Sequence, residues 1–260
     1  MPRTDSDRLS APSLLLVAHP GHELLLSGWV GDVKPFVCVL TDGSGHSSVS
    51  RLQLTADFLE SAGVPRGPVF GRFNDRELYE AMLSGHVALF ESLVEELAAF
   101  VSQHRIETVV TDAMEGFNPV HDLCRMLAGA ASVLERAPRR YEYPVHAGPH
   151  GYDGMADAIL RDLDDAQLGQ KIAASRAMAQ AIPDIGEMLD RFGESAFRRE
   201  SFRPIDDWAA TGWVAGEPPL YEQIGEARIA AGRYDRVIRH TDHFLPLLAA
   251  LRAMVSPCVS

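Results

Sequence analysis

The chain has 260 residues, 46% of them hydrophobic and 23% charged, and a formal net charge of −12. That length supports a buried core without disulfides. The acidic balance disfavours nucleic acid or an anionic membrane as the principal partner.

Residues 1–12 are polar, lack the apolar centre of a secretory signal and read as a disordered lead. One domain is expected over residues 13–260. Residues 13–18 form a short apolar run, read as a buried strand. Residues 23–33 are long enough for a helix, and residues 36–40 read as a second strand closed by Thr41-Asp42-Gly43-Ser44-Gly45. Residues 52–62 and 89–100 carry helical spacing of apolar residues, with Gly63 as a stop for the first. Between them, residues 69–70 suit a short strand. Residues 108–111 read as a β-branched strand, 120–134 as a helix and 141–146 as a further strand. Residues 148–154 are turn-rich. Beyond them, residues 166–181 and 234–254 read as helices, separated by Pro-rich, Trp-containing loops. The alternation predicts α/β architecture: a Rossmann-like, doubly wound, mostly parallel sheet with helices on both faces and a helical C-terminal elaboration.

Cys38, Cys124 and Cys258 are far apart and outside any C-x-x-C spacing, which suits reduced thiols of a cytoplasmic protein. No apolar stretch approaches the roughly 20 residues that span a bilayer, so membrane insertion is not expected. The chain has no G-x-S-x-G.

Two segments carry the chemistry. Ala18-His19-Pro20-Gly21-His22-Glu23 directly follows the first strand, where open α/β sheets place their sites. His19 and His22 are three residues apart, a spacing that converges two imidazoles on one ion or leaves two loop histidines. Asp112-Ala113-Met114-Glu115-Gly116-Phe117-Asn118-Pro119-Val120-His121-Asp122 follows another strand and opens a helix. His121 there offers a third imidazole. Three ligands from two strand ends, with one open position, is the usual plan of a catalytic zinc site. Iron, cobalt and nickel remain open on ligand type alone.

Together the two segments resemble the metal-binding motifs of the LmbE-like, or PIG-L-like, family of zinc-dependent N-deacetylases, which read A-H-P-D-D-E and E-G-G-H-P-D-H-D. Leu40-Thr41-Asp42-Gly43, Arg51, Ala62-Gly63-Val64 and Asp75 agree in position with that family. The tail from Tyr221-Glu222 through Gly225-Glu226 to His243 is similar to members that act near sugars. The resemblance implies one divalent ion, zinc, on His19, His22 and His121, with His22 standing where the family has a ligand Asp.

The departures concern proton transfer. Gly21 stands where the family has its general base, Asn118 where a His polarises the carbonyl, and Val120 where an Asp orients that His. Three neutral imidazoles leave a zinc site at net charge +2, which acidifies a bound water and supplies hydroxide without a dedicated base. Glu23, Asn118 and Asp112 are the candidate catalytic residues. Asp42, Glu115 and Asp122 are also close in sequence, and each of these carboxylates serves either in catalysis or to orient a ligand imidazole; for Asp112, which ends a strand, and Asp122, which follows a ligand, orienting or helix capping is the favoured reading.

The expected reaction is removal of an N-acyl group, such as N-acetyl, from an amino sugar or related small metabolite, a hydrolysis of a non-peptide C–N bond. The alternatives are an esterase-type hydrolase, or a member without hydrolysis that binds a sugar-like ligand or a partner protein. His146 and His150 flank a turn and either reach the pocket or sit in a loop. His240 and His243 read as partly buried helix residues, and Trp29, Trp208 and Trp213 as core.

Overall fold

The computed structural model describes residues 9–10, 12–45, 49–137, 139–211 and 217–256. Trp213, Cys258 and most of the expected N-terminal lead lie outside them. Of that lead, Leu9 is buried and its carbonyl accepts the Trp29 indole N–H at 2.9 Å.

Seven strands form one sheet in the order β3-β2-β1-β4-β5-β7-β6. They are β1 (Ser13–Val17), β2 (Phe36–Thr41), β3 (Arg66–Phe73), β4 (Thr108–Asp112), β5 (Arg139–Tyr143), β6 (Ile159–Asp162) and β7 (Arg199–Pro204). The first five run parallel, and β7 and β6 add antiparallel at one edge. All of β1 is buried, as a strand covered on both faces must be. Leu14 and Leu16 enter one apolar cluster while Leu15 and Val17 enter the other, the alternation that strand geometry imposes. Cys38 with Leu40, and Val37 with Val39, divide in the same way.

One face is covered by α4 (Val87–Gln103), α5 (Pro119–Leu134) and α9 (Leu245–Val255); the other by α1 (Ser27–Val33) and α2 (Leu52–Ala62). The architecture is therefore the expected mostly parallel α/β sheet with helices on both faces. Trp29 and Trp208 lie in the core, and Cys38 and Cys124 are buried free thiols.

Several elements differ from the sequence reading. Residues 75–83 form α3 (Asp75–Leu83), opened by a capping box in which Asn74 and Glu77 exchange hydrogen bonds. β3 spans eight residues rather than two, and β5 ends at Tyr143, so residues 144–146 leave the sheet. The stretch between residues 181 and 234 that is expected to be loop contains β7, α7 (Pro183–Phe192) and α8 (Leu220–Ala230); β6 lies ahead of it where no element is expected, and α6 (Asp165–Ala179) stands where a helix is expected. The long helix expected over residues 234–254 begins only at His240, as a five-residue π turn leading into α9. Pro246 has no N–H to bond the carbonyl of Asp242, so the regular α ladder cannot extend back through that turn.

Candidate metal centre

Five strand ends meet at one edge of the sheet. His19 follows β1, Thr41 ends β2, Asp75 follows β3, Asp112 ends β4 and Tyr143 ends β5. The chain order reverses between β1 and β4, the point where open α/β sheets leave a crevice at their carboxyl ends. The two motif segments flank that crevice.

Gly21 makes the first segment turn. Its φ of 98° belongs to a region that favours glycine, and the turn continues into a 3₁₀ segment, His22–Leu26. Glu23 braces the turn from inside. Fully buried, it accepts hydrogen bonds from the Gly21 N–H at 2.9 Å and the Thr55 hydroxyl at 2.7 Å. Burial pushes its carboxyl pKa up, against the pull of the Thr55 hydrogen bond.

The second segment is fixed by the start of α5. Asn118 is the N-cap, its Oδ1 accepting the Val120 N–H at 2.9 Å, and Pro119 occupies the first turn. His121 thereby points inward from the first turn of a helix whose residues are almost all buried.

The folding chain brings His19, His22 and His121 together. Their ring centroids are 5.2 Å (His19–His22), 5.1 Å (His19–His121) and 4.6 Å (His22–His121) apart. The His22 ring is hydrogen-bonded to a carboxylate, and the His19 ring is hydrogen-bonded to a hydroxyl with a carboxylate at ion-pair distance. His22 Nδ1 is 2.8 Å from Asp112 Oδ2, and His19 Nδ1 is 3.0 Å from Asp75 Oδ1 and 2.8 Å from the Thr41 hydroxyl. A carboxylate on Nδ1 fixes the tautomer, orients the ring and leaves Nε2 as a basic lone pair.

Asp112 has no freedom to do much else. Its Oδ2 also accepts the Ala18 N–H at 2.9 Å, and its Oδ1 accepts the Tyr143 hydroxyl at 2.6 Å. Burial raises the carboxyl pKa, but the adjacent His22 and these hydrogen bonds outweigh it and hold it at about 2. Reciprocally, burial opposes a proton on His22 while Asp112 favours it, and the net direction is upward. His121 is the opposite case. Burial, then the positive charges of His22 and His19, hold it well below the usual histidine range, so it is a neutral imidazole.

The donor set fits a divalent ion. Ligand atoms of His22, Asp112 and His121 lie within 4.8 Å of one another, with the His19 ring alongside. His121 Nδ1 is buried without a hydrogen-bond partner, an arrangement that costs roughly 1–3 kcal/mol unless something satisfies it. Asp112 competes with His19 as third ligand, but its oxygens are already taken by three donors, whereas His19 Nε2 is met only by Asn118 Nδ2 at 3.4 Å.

Of the other acidic candidates, Glu115 accepts the N–H groups of Val145, His146 and Ala147 at 3.0, 2.7 and 2.8 Å. Asp122 Oδ1 accepts the Gly116 N–H at 3.2 Å, and burial drives its carboxyl toward the protonated form. Asp42 Oδ1 accepts the Ser44 N–H. His150 is exposed and paired with Asp153, while His240 and His243 bond within the C-terminal helices. Asp75 is the residue whose part motif spacing alone does not reveal. Its signal was its place immediately after β3, which puts it at the same sheet edge.

No protein-family model and no curated protein matches the chain. Solved structures do. The A40926 pseudoaglycone deacetylase aligns with a TM-score of 0.55 at 16% identity, covering 76% of this chain and 97% of that one. A deacetylase of the teicoplanin biosynthesis pathway, in a complex named as deacetylase-bog, aligns with a TM-score of 0.54 at 16% identity, covering 74% and 97%. The zinc-inhibited form of teicoplanin deacetylase aligns with a TM-score of 0.52 at 13% identity, again covering 74% and 97%. At these identities the likeness is one of fold, and the fold is that of solved deacetylases.

Proposed function

We propose that this protein is a divalent-metal hydrolase of the LmbE-like, PIG-L-like type, with residues 13–260 as one domain. The proposed reaction removes an N-acyl group, N-acetyl foremost, from an amino sugar or related small metabolite. Zinc is the ion that best suits an imidazole-rich site, with His19, His22 and His121 as its ligands. The observation that carries the reading is the convergence of these three rings, two backed by carboxylates and the third with a buried nitrogen unsatisfied.

Bound there, such an ion acidifies a water and polarises a carbonyl. The chain's own groups do the rest. Asp75 and Asp112 hold His19 and His22 in register. Asn118, with Oδ1 committed to the helix cap, turns its Nδ2 toward the ligand nitrogen of His19. From there it can donate a hydrogen bond to a substrate carbonyl as negative charge develops on the oxygen.

Gly21 favours keeping a second reading, an esterase-type hydrolase whose leaving group needs no strong acid. A Cβ at this position would lie 2.9 Å from Ile185 Cδ1 and 3.3 Å from Ile182 Cδ1. The place of the family's base is therefore lined by apolar atoms. The deciding experiment is a panel of N-acetyl and O-acetyl sugars assayed with zinc-loaded protein. Amine release supports the N-deacetylase; acetate release from O-acetyl sugars alone supports the esterase; neither refutes hydrolysis.

The comparison structures include a teicoplanin deacetylase and an A40926 pseudoaglycone deacetylase, names that support deacetylation as the reaction. Among the described residues, no helix is long and apolar enough to cross a membrane.

A further inference from the structure

The geometry points to His146 as the proton carrier that replaces the base absent at Gly21, and we propose that role for it. The inference rests on the N-deacylase reading above. Four observations place this side chain. It leaves the carboxyl end of β5, beside β4, whose own end carries Asp112. Its backbone is pinned, because the Glu115 carboxylate takes three consecutive N–H groups from Val145 to Ala147, and Arg191 Nη1 donates to the His146 carbonyl at 3.2 Å. Its ring is stacked on Phe117, centroids 3.8 Å apart and planes within 9°. Phe117 immediately precedes Asn118, which touches His19.

The remaining observation concerns access. The His146 ring is half-buried, and neither of its nitrogens has a hydrogen-bond partner among the described residues. α7 spans the same opening: Ile185 near its start packs against Gly21, and Arg191 near its end holds His146. The charged groups facing His146 are Arg191 from α7, Glu115 from the segment between β4 and α5, and His121 from α5. His146 is also among the groups whose charge disfavours a proton on His121. Burial, then Arg191, lowers the His146 pKa, so the ring is neutral near pH 7 and ready to accept a proton.

The step balances with one proton passed twice. The ring accepts a proton from the attacking water as the water oxygen bonds to the amide carbonyl carbon. It gives that proton to the amine nitrogen as the C–N bond breaks. The acid and the amine leave, and the ring ends neutral as it began.

The test uses zinc-loaded full-length protein and an N-acetyl amino sugar that the wild type deacetylates. His146→Gln is expected to lower amine release about 10²- to 10⁴-fold, with zinc stoichiometry unchanged and thermal unfolding still cooperative. Added imidazole is expected to restore turnover of His146→Ala in proportion to its concentration, which loss of a merely structural side chain would not show. A second readout needs no turnover. In ¹⁵N-histidine spectra, the resonance that disappears in His146→Gln is expected to titrate below the ordinary histidine pKa and to shift when acetate, the product, is added. Turnover of His146→Gln within about threefold of wild type, absence of imidazole rescue, or a His146 resonance indifferent to acetate overturns the proposal. A zinc-loaded wild type that releases no amine from any N-acetyl substrate overturns the N-deacylase reading and this inference with it. An active wild type with an unimpaired His146→Gln overturns the inference alone.

Discussion

Replacing Asp112 by Asn isolates what the buried carboxylate does for the metal centre, because the substitution changes charge with almost no change in shape. Asp112 Oδ2 accepts from Ala18 N and His22 Nδ1, and Oδ1 accepts from the Tyr143 hydroxyl. The amide oxygen of Asn would take the Oδ2 place and still accept both N–H groups. Its NH₂ would take the Oδ1 place and donate to Tyr143, whose hydroxyl can turn to accept. Every partner is retained, so the loss is that of charge assistance in the hydrogen bonds. Bonds to a charged group contribute about 1.5–3 kcal/mol against about 0.5–1.5 for neutral ones, a stability loss of roughly 1–3 kcal/mol for the set. A ligand His stripped of its carboxylate typically loses about 10- to 100-fold in metal affinity. Zinc affinity measured by competition with a chromophoric chelator should therefore fall by that factor in a protein that still melts cooperatively. Unchanged affinity would refute the claim that Asp112 orients His22. A loss as complete as that of His121→Ala would refute it differently, by making Asp112 itself a ligand.

Asp75→Asn should weaken zinc binding by a similar 10- to 100-fold through His19, read in the same competition assay. His121→Ala should abolish stoichiometric zinc on elemental analysis of protein purified without added metal; retained zinc would remove His121 from the ligand set. Gly21→Ala should destabilise by about 1–3 kcal/mol in thermal or urea unfolding, since it places a Cβ both at φ 98° and 2.9 Å from Ile185. Asn118→Ser keeps an N-cap for α5 but removes the Nδ2 donor. It should hold the thermal midpoint while lowering turnover on the substrate the wild type hydrolyses, by about 10²- to 10³-fold as for loss of an oxyanion donor.

The parallel half of the fold was legible where its strands are apolar and its helices carry ordinary stops: β1 and β2 are buried on both faces, and Gly63 ends α2 with positive φ, whereas β3 and β5 carry arginines that blur their bounds. α3 was legible in principle, since Asn74 and Glu77 stand at capping-box spacing, but a nine-residue helix with Arg76, Glu77 and Glu80 on it shows only a thin apolar stripe. β7 hid for a deeper reason. Its second residue is Glu200, wholly buried, which no apolar pattern predicts. That carboxylate caps the start of α1 through the N–H groups of Gly28 and Trp29 and is neutralised by Lys171 at 3.1 Å. A buried charge is tolerable only when its partners are in place, and those partners come from two helices distant in sequence. The candidate metal centre divides along the same line. His19, His22 and His121 stand at local spacings beside strand ends, and a sequence carries such information directly. Asp75 and His146 act across the sheet edge, one bound to a ring from β1 and the other stacked on a ring from the β4–α5 segment. Their parts depend on β3, β1, β4 and β5 lining up in that order. A reading that begins with motifs therefore finds the groups that would hold an ion before the groups that would aim them or move protons, and Gly21 looks like a loss until the residues around it are placed in space.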